Sequence, residues 1–115
     1  MKALWLPFEV SDLDGALAFY EGRLGLARTD AWTRDGERGA VLRAAGSAYV
    51  ELVEPIGRAP VRGAPLAFEL ASAAEVDAFA RLDGPAPHRY PRGHYGFVLP
   101  APAGAEVMLW SEAGT

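Results

Sequence analysis

The second half of this chain repeats the first, in order and in register. Residues 8–10 read Phe-Glu-Val and residues 68–70 read Phe-Glu-Leu, so Glu69 follows Glu9 by sixty residues, and Phe79 follows Phe19 by the same interval. Further along, "GAVLRAAGSAYVELVE" matches "GFVLPAPAGAEVMLWSE" once Glu51 is set beside Met108. A repeat of this length marks each half as one supersecondary unit, and the two halves as two copies of one architecture.

Periodicity says what that unit is. Leu4, Leu6, Phe8 and Val10 alternate with Trp5, Pro7 and Glu9, the period of a strand. Ser11 opens "SDLD", where its hydroxyl is placed to cap a helix and Asp14 to act in the first turn. Leu13, Ala16, Leu17 and Tyr20 follow at helical spacing to about Gly22. The stretch to Pro55 then reads as three strands divided by the turn signals "RDGERG" and "AAGS". The second half gives a strand with Leu66, Phe68 and Leu70 on one side, then "SAAE", a stronger capping box, with Val76 and Phe79 on one helix face. Each half therefore spells βαβββ. Between them "PIGRAPVRGAP" has the Pro and Gly content of a linker. The expected organisation is an α+β domain of 115 residues made of a module at 1–55, a linker at 56–64 and a module at 65–115.

Composition removes several functions. A net charge of -4 argues against general nucleic-acid binding, which relies on Lys and Arg displacing counterions, and favours a cationic partner. The absence of cysteine removes disulfides, thiolate metal sites and a cysteine nucleophile. With Glu9 and Asp12 close behind "ALWLPF", no N-terminal apolar stretch is long enough to suggest a signal peptide or membrane span, and a cytoplasmic location is expected. No nucleophile elbow, phosphate loop or dinucleotide fingerprint is present.

With "VSDLDGALAFYEGRLGL" at residues 10–26 as its best local match, and "APAG" at 101–104 in place of an Asp-Pro-Asp-Gly turn, the chain resembles the vicinal oxygen chelate superfamily. That group includes glyoxalase I, extradiol dioxygenases, fosfomycin-resistance enzymes and bleomycin-resistance proteins. The resemblance spans nearly the whole length. It implies paired βαβββ modules whose curved mixed sheets enclose a cup, completed in many members by a homodimer. It also implies a divalent metal held from the first and last strands of each module. Those places fall here on Trp5, Glu51, Pro65 and Met108. Indole offers no free lone pair, proline no ligand atom, and a thioether is too soft for Mg²⁺, Mn²⁺ or Zn²⁺, so Glu51 stands alone and no metal or other cofactor is expected.

Strand alternation then predicts the lining of the cup. If Leu6, Phe8 and Val10 face the helices, Trp5 and Glu9 face inward. The same reasoning sends Tyr49, Glu51, Glu69, Met108 and Trp110 to the cavity, joined by Trp32 and Phe97 from neighbouring strands. Aromatic walls with carboxylates suit a flat organic cation. The resulting expectation is a metal-free binding protein of the bleomycin-resistance type, sequestering a cationic or aromatic compound such as an antibiotic. The alternatives are a small lyase, isomerase or hydrolase with Glu51, and after it Glu9, as general base, or a metal-dependent glyoxalase-like enzyme with atypical ligands. A purely structural or regulatory dimer is a third reading. His88 and His94, in "PHRYPRGHYGF", lack a placed carboxylate or serine and read as surface residues of a hairpin, with Arg89 and Arg92 on a rim.

Overall fold

The computed structural model describes residues 2–34, 36–60 and 66–112. The first module runs β1 (Leu4–Glu9), α1 (Leu13–Leu17) continued by a π-helical segment (Ala18–Arg23), β2 (Ala27–Arg34), β3 (Glu37–Ala45) and β4 (Ala48–Pro55). The second runs β5 (Leu66–Glu69), α2 (Ala73–Asp83), β6 (His88–Arg89), β7 (Tyr95–Pro100), a 3₁₀ turn (Pro102–Gly104) and β8 (Glu106–Ser111). Each forms a four-stranded mixed sheet, β1-β4-β3-β2 and β5-β8-β7-β6, in which the first pair is parallel and the others antiparallel. The fold is α+β with two βαβββ modules, and the chain divides into two compact units that follow the modules except that residues 101–105 group with the first. Of the linker expected at 56–64, residues 61–64 lie outside the described residues, as does Pro65. No helix among the described residues is long and apolar enough to cross a membrane.

The first helix starts one residue later than its sequence suggests. Asp12, extended at φ -142°, is the N-cap, and its carboxylate accepts from the Gly15 amide at 3.1 Å. Ser11 does not fill that role, because a carboxylate one residue on reaches the free amide and carries charge that the helix dipole favours. Glu54, reaching across from β4, accepts from the Leu13 amide at 2.7 Å and pairs with Arg38, so the helix is tied to the sheet by its first turn. The second helix follows its sequence: the Ser72 hydroxyl accepts from the Glu75 amide at 3.2 Å.

Each core lies between helix and sheet. In the first module Val10, Leu13, Ala16, Leu17, Tyr20, Ala40, Leu42, Val50 and Leu52 are buried; in the second, Leu66, Val76, Phe97, Leu99, Val107 and Leu109. The helical cover of the first sheet reaches Phe8, whose ring meets Tyr20 at 6.1 Å, and leaves Leu4 on the same face 61% exposed. In the second module Tyr95 donates from its hydroxyl to Asp77 at 2.6 Å, joining β7 to α2.

Candidate ligand site

Strand register decides which side chains share the open face of the first sheet, opposite the helix. Trp5 pairs with Tyr49 and Pro7 with Glu51; Glu51 pairs with Val41, and Val41 with Asp30; Gly39 pairs with Trp32, and Glu37 with Arg34. A β-bulge at Thr29 arranges the edge. Arg28 opposes Leu42 on the helix side, where it pairs with Glu21, whereas Asp30 opposes Val41 on the open side. The extra residue turns the strand over, so Asp30, Trp32 and Arg34 all point to the open face.

A cavity of about 440 Å³ lies on that face, lined by Trp5, Asp30, Trp32, Arg34, Glu37, Val41 and Glu51. Its walls are held by specific contacts. Trp5 stacks on Tyr49, with centroids 4.7 Å apart and planes inclined by 25°, while Arg43 covers Tyr49 at 5.7 Å. Trp5 nonetheless stays 48% exposed, so part of its surface is open. Trp32 lies over Gly39: a methyl there would come within 2.4 Å of its Cζ2. The indole N–H donates to Glu37 at 2.8 Å, which fixes the ring along the strand. Glycine is what permits this, since any Cβ would occupy the space of the ring.

The acids of this face are not equivalent. Glu37 is engaged by Trp32, and Asp30 accepts from the Ala31 amide at 2.8 Å. Glu9 lies on the same face, opposite Val53, but Arg58 grips its two oxygens, one at 2.8 Å. Its charge is already balanced and it does not line the cavity. The Glu51 carboxylate forms no hydrogen bond or ion pair among the described residues.

In the second module register places Ala67, Glu69, Val98, Met108 and Trp110 on the face away from α2. A smaller cavity of about 210 Å³ is lined by Leu66, Ala67, Val98, Glu106 and Met108, and is mainly apolar. Trp110 sits against Gly96, where a methyl would meet its Cβ at 2.7 Å. The hairpin side chains surround it: His94 packs edge-on at 5.3 Å, Arg92 lies over it at 5.3 Å, and Tyr90 stacks on His94 at 4.9 Å. Arg92 is in turn paired with Glu112. The rim residues of "PHRYPRGHYGF" thus cover Trp110 itself.

Phe97, expected in the cup, is instead core. It is 1% exposed and opposes Leu109 on the helix side, close against Gly84 at the end of α2. Its phase on β7 is that of Tyr95 and Leu99, both turned toward α2, and the open face belongs to Gly96 and Val98. Of the residues the sequence assigns to the cup, the structure places Trp5, Trp32, Tyr49 and Glu51 on one face of the first sheet. It missed Asp30, Arg34, Glu37 and Val41; the odd-even phase of Trp32 on β2 and of Glu51 against β3 was the available signal.

The residues at the superfamily's metal positions are poor donors. Trp5 has no lone pair to give and is committed to Tyr49, Met108 is a thioether in the second unit, and Pro65 lies outside the described residues. Glu51 supplies one carboxylate where a hard cation needs several converging oxygens or imidazoles. Among the described residues no three His, Cys, Asp or Glu side chains converge. This donor set does not fit the metal.

No family model matches the sequence, and no curated protein matches it. Solved structures do. Lactoylglutathione lyase from Agrobacterium tumefaciens is similar at 25% identity and a TM-score of 0.71, the match covering 95% of this chain and 92% of that one. A glyoxylase/bleomycin resistance protein/dioxygenase domain from Frankia superposes with a TM-score of 0.75 at 17% identity, covering 100% and 97%. A glyoxalase/bleomycin resistance protein from Catenulispora acidiphila gives 0.67 at 22%, covering 96% and 98%. In its order of elements, its repeat and the length over which it matches these structures, the chain has the two-module fold of the vicinal oxygen chelate superfamily.

Proposed function

We propose that this chain is a metal-free small-molecule binding protein whose ligand is flat and carries positive charge, an antibiotic being one example of the class. The observation that carries the reading is Trp5. Where the superfamily's enzymes put a metal ligand on the first strand, this chain has an indole stacked on Tyr49, partly open, lining one cavity with Glu51, whose carboxylate has no partner among the described residues. An open indole offers area and cation–π attraction of about 0.5–2 kcal/mol to a cation, and Glu51 offers a counter-charge. Trp32, fixed by Glu37 and Gly39, gives a second flat wall.

The test is a titration with the planar cationic dye proflavine, following tryptophan emission and recovering the dye. Saturable quenching with unchanged dye is expected, weakened about tenfold by Glu51→Gln, a loss of about 1.4 kcal/mol. Stoichiometric binding of Mn²⁺, Ni²⁺ or Zn²⁺ that switches on turnover would refute it.

The Glu51 carboxylate, without a partner among the described residues, supports a second reading, a general base acting on a carbonyl or epoxide substrate. That reading requires turnover which collapses in Glu51→Gln while binding persists. A homodimer belongs to the same proposal, supported by Leu4, Trp5 and Leu6, all exposed on edge strand β1. Sedimentation equilibrium showing only monomers at micromolar concentration would remove it.

A further inference from the structure

Two side chains of opposite charge that line the first-module cavity have no partner among the described residues. Among the described residues neither the Glu51 carboxylate nor the Arg34 guanidinium forms a hydrogen bond or ion pair, whereas Asp30 and Glu37, the other charged groups there, are engaged by the Ala31 amide and the Trp32 indole. The free charges are not neighbours. Glu51 sits in the row Glu51–Val41–Asp30, and Arg34 in the row Pro55–Glu37–Arg34, four residues along and two strands across. At roughly 3.3 Å per residue and 4.8 Å per strand, their Cα atoms are on the order of 16 Å apart in the sheet. Glutamate and arginine side chains reaching over the cavity narrow that span without closing it. The floor between them is apolar, Val41 being 4% exposed, and Trp32 lies on the sheet along the way.

We propose that the ligand of this cavity is a zwitterion: a flat aromatic body with an ammonium or amidinium at one end for Glu51, and a carboxylate or comparable anion at the other for Arg34. The inference rests on the binding role proposed above and adds the second charge and its spacing. A ligand carrying both charges on one carbon does not reach both side chains. A ligand with a single positive charge leaves the five guanidinium donors of Arg34 unused.

Calorimetric titration of the full chain separates these cases with four probes. 4-(Aminomethyl)benzoate has its charges across the ring, 4-methylbenzylamine and 4-methylbenzoate keep one charge each, and phenylglycine has both on one carbon. The expected result is that 4-(aminomethyl)benzoate binds about tenfold more tightly than any of the others. Arg34→Met should erase its advantage over the amine without weakening the amine, and Arg34→Lys should restore part of it. Equal binding of the amine, equal binding of phenylglycine, or an advantage that survives Arg34→Met would each overturn the zwitterion while leaving the cationic binding role standing. If none of the four binds, both proposals fall.

Discussion

Tyr20 carries a costly atom in the first core, and removing it should stabilise the protein. The side chain is 0% exposed, its ring meets Phe19 at 4.9 Å and Phe8 at 6.1 Å, and its hydroxyl has no hydrogen-bond partner among the described residues. A buried polar group without a partner costs about 1–3 kcal/mol. Tyr20→Phe keeps the ring contacts and discards the stranded oxygen, at the smaller expense of a void the size of one atom. A net gain of about 1 kcal/mol is expected, which raises the melting temperature by about 3–5 °C for a chain of this size. Alkaline titration gives an independent check. Burial pushes the Tyr20 phenol from an ordinary value of 10.0 up to about 12. Below pH 10 both folded and unfolded chains keep it neutral and stability is complete. From pH 10 to 12 the unfolded chain ionises first, so stability falls, by up to about 3 kcal/mol from this residue; beyond 12 it adds no further loss. Urea melts followed by circular dichroism across that range should therefore fall less steeply in Tyr20→Phe than in the parent. Some slope must remain, because the hydrogen bond to Asp77 also raises the Tyr95 phenol. A variant less stable than the parent, with an unchanged alkaline slope, would show that the hydroxyl is satisfied and the reasoning wrong.

Other substitutions test the site and its supports. Gly39→Ala drives a methyl into the Trp32 ring at 2.4 Å and the Leu52 carbonyl oxygen at 2.7 Å, so it should cost about 1–3 kcal/mol, shift tryptophan emission to the red and weaken proflavine binding. Phe97→Ala should cost about 3–5 kcal/mol in denaturant melts. At a temperature where that variant stays folded, its proflavine affinity should match the parent's; a selective loss of affinity would return Phe97 to the site. Arg38, and after it the Leu13 amide, hold the Glu54 carboxyl below its ordinary value of 4.5. Its contribution is complete above about pH 4.5 and fades as pH falls through the lowered value. Glu54→Gln should lower the melting temperature by several degrees at neutral pH and flatten the acid limb, and an unchanged acid limb would exclude this role.

How far the sequence could be read is clearest from three residues. The repeat that revealed two modules also sets Gly39 beside Gly96, and so Ala40 beside Phe97. Ala40 is fully buried on the helix side, and Phe97 takes the same phase, its greater size met by Gly84 at the end of α2. The alignment thus contained the correct placement, and choosing Phe97 for its aromatic character alone overrode it. Asp30 is the opposite case. Counting alternate residues from Arg28 puts Asp30 on the same face as Arg28, and only the bulge at Thr29 separates them. Such a bulge depends on how two strands twist against each other, which no local pattern on β2 records. Glu9 fails for a third reason. Its phase was read correctly, but its chemistry was set by Arg58, forty-nine residues away, a pairing that follows from the path of the chain after β4. Phase along a strand is local and legible, whereas which acid remains free depends on distant cations. Among the described residues, Glu51 is therefore distinguished from Glu9 by the absence of any cation that reaches it, and in the proposed function the ligand's own charge supplies that partner.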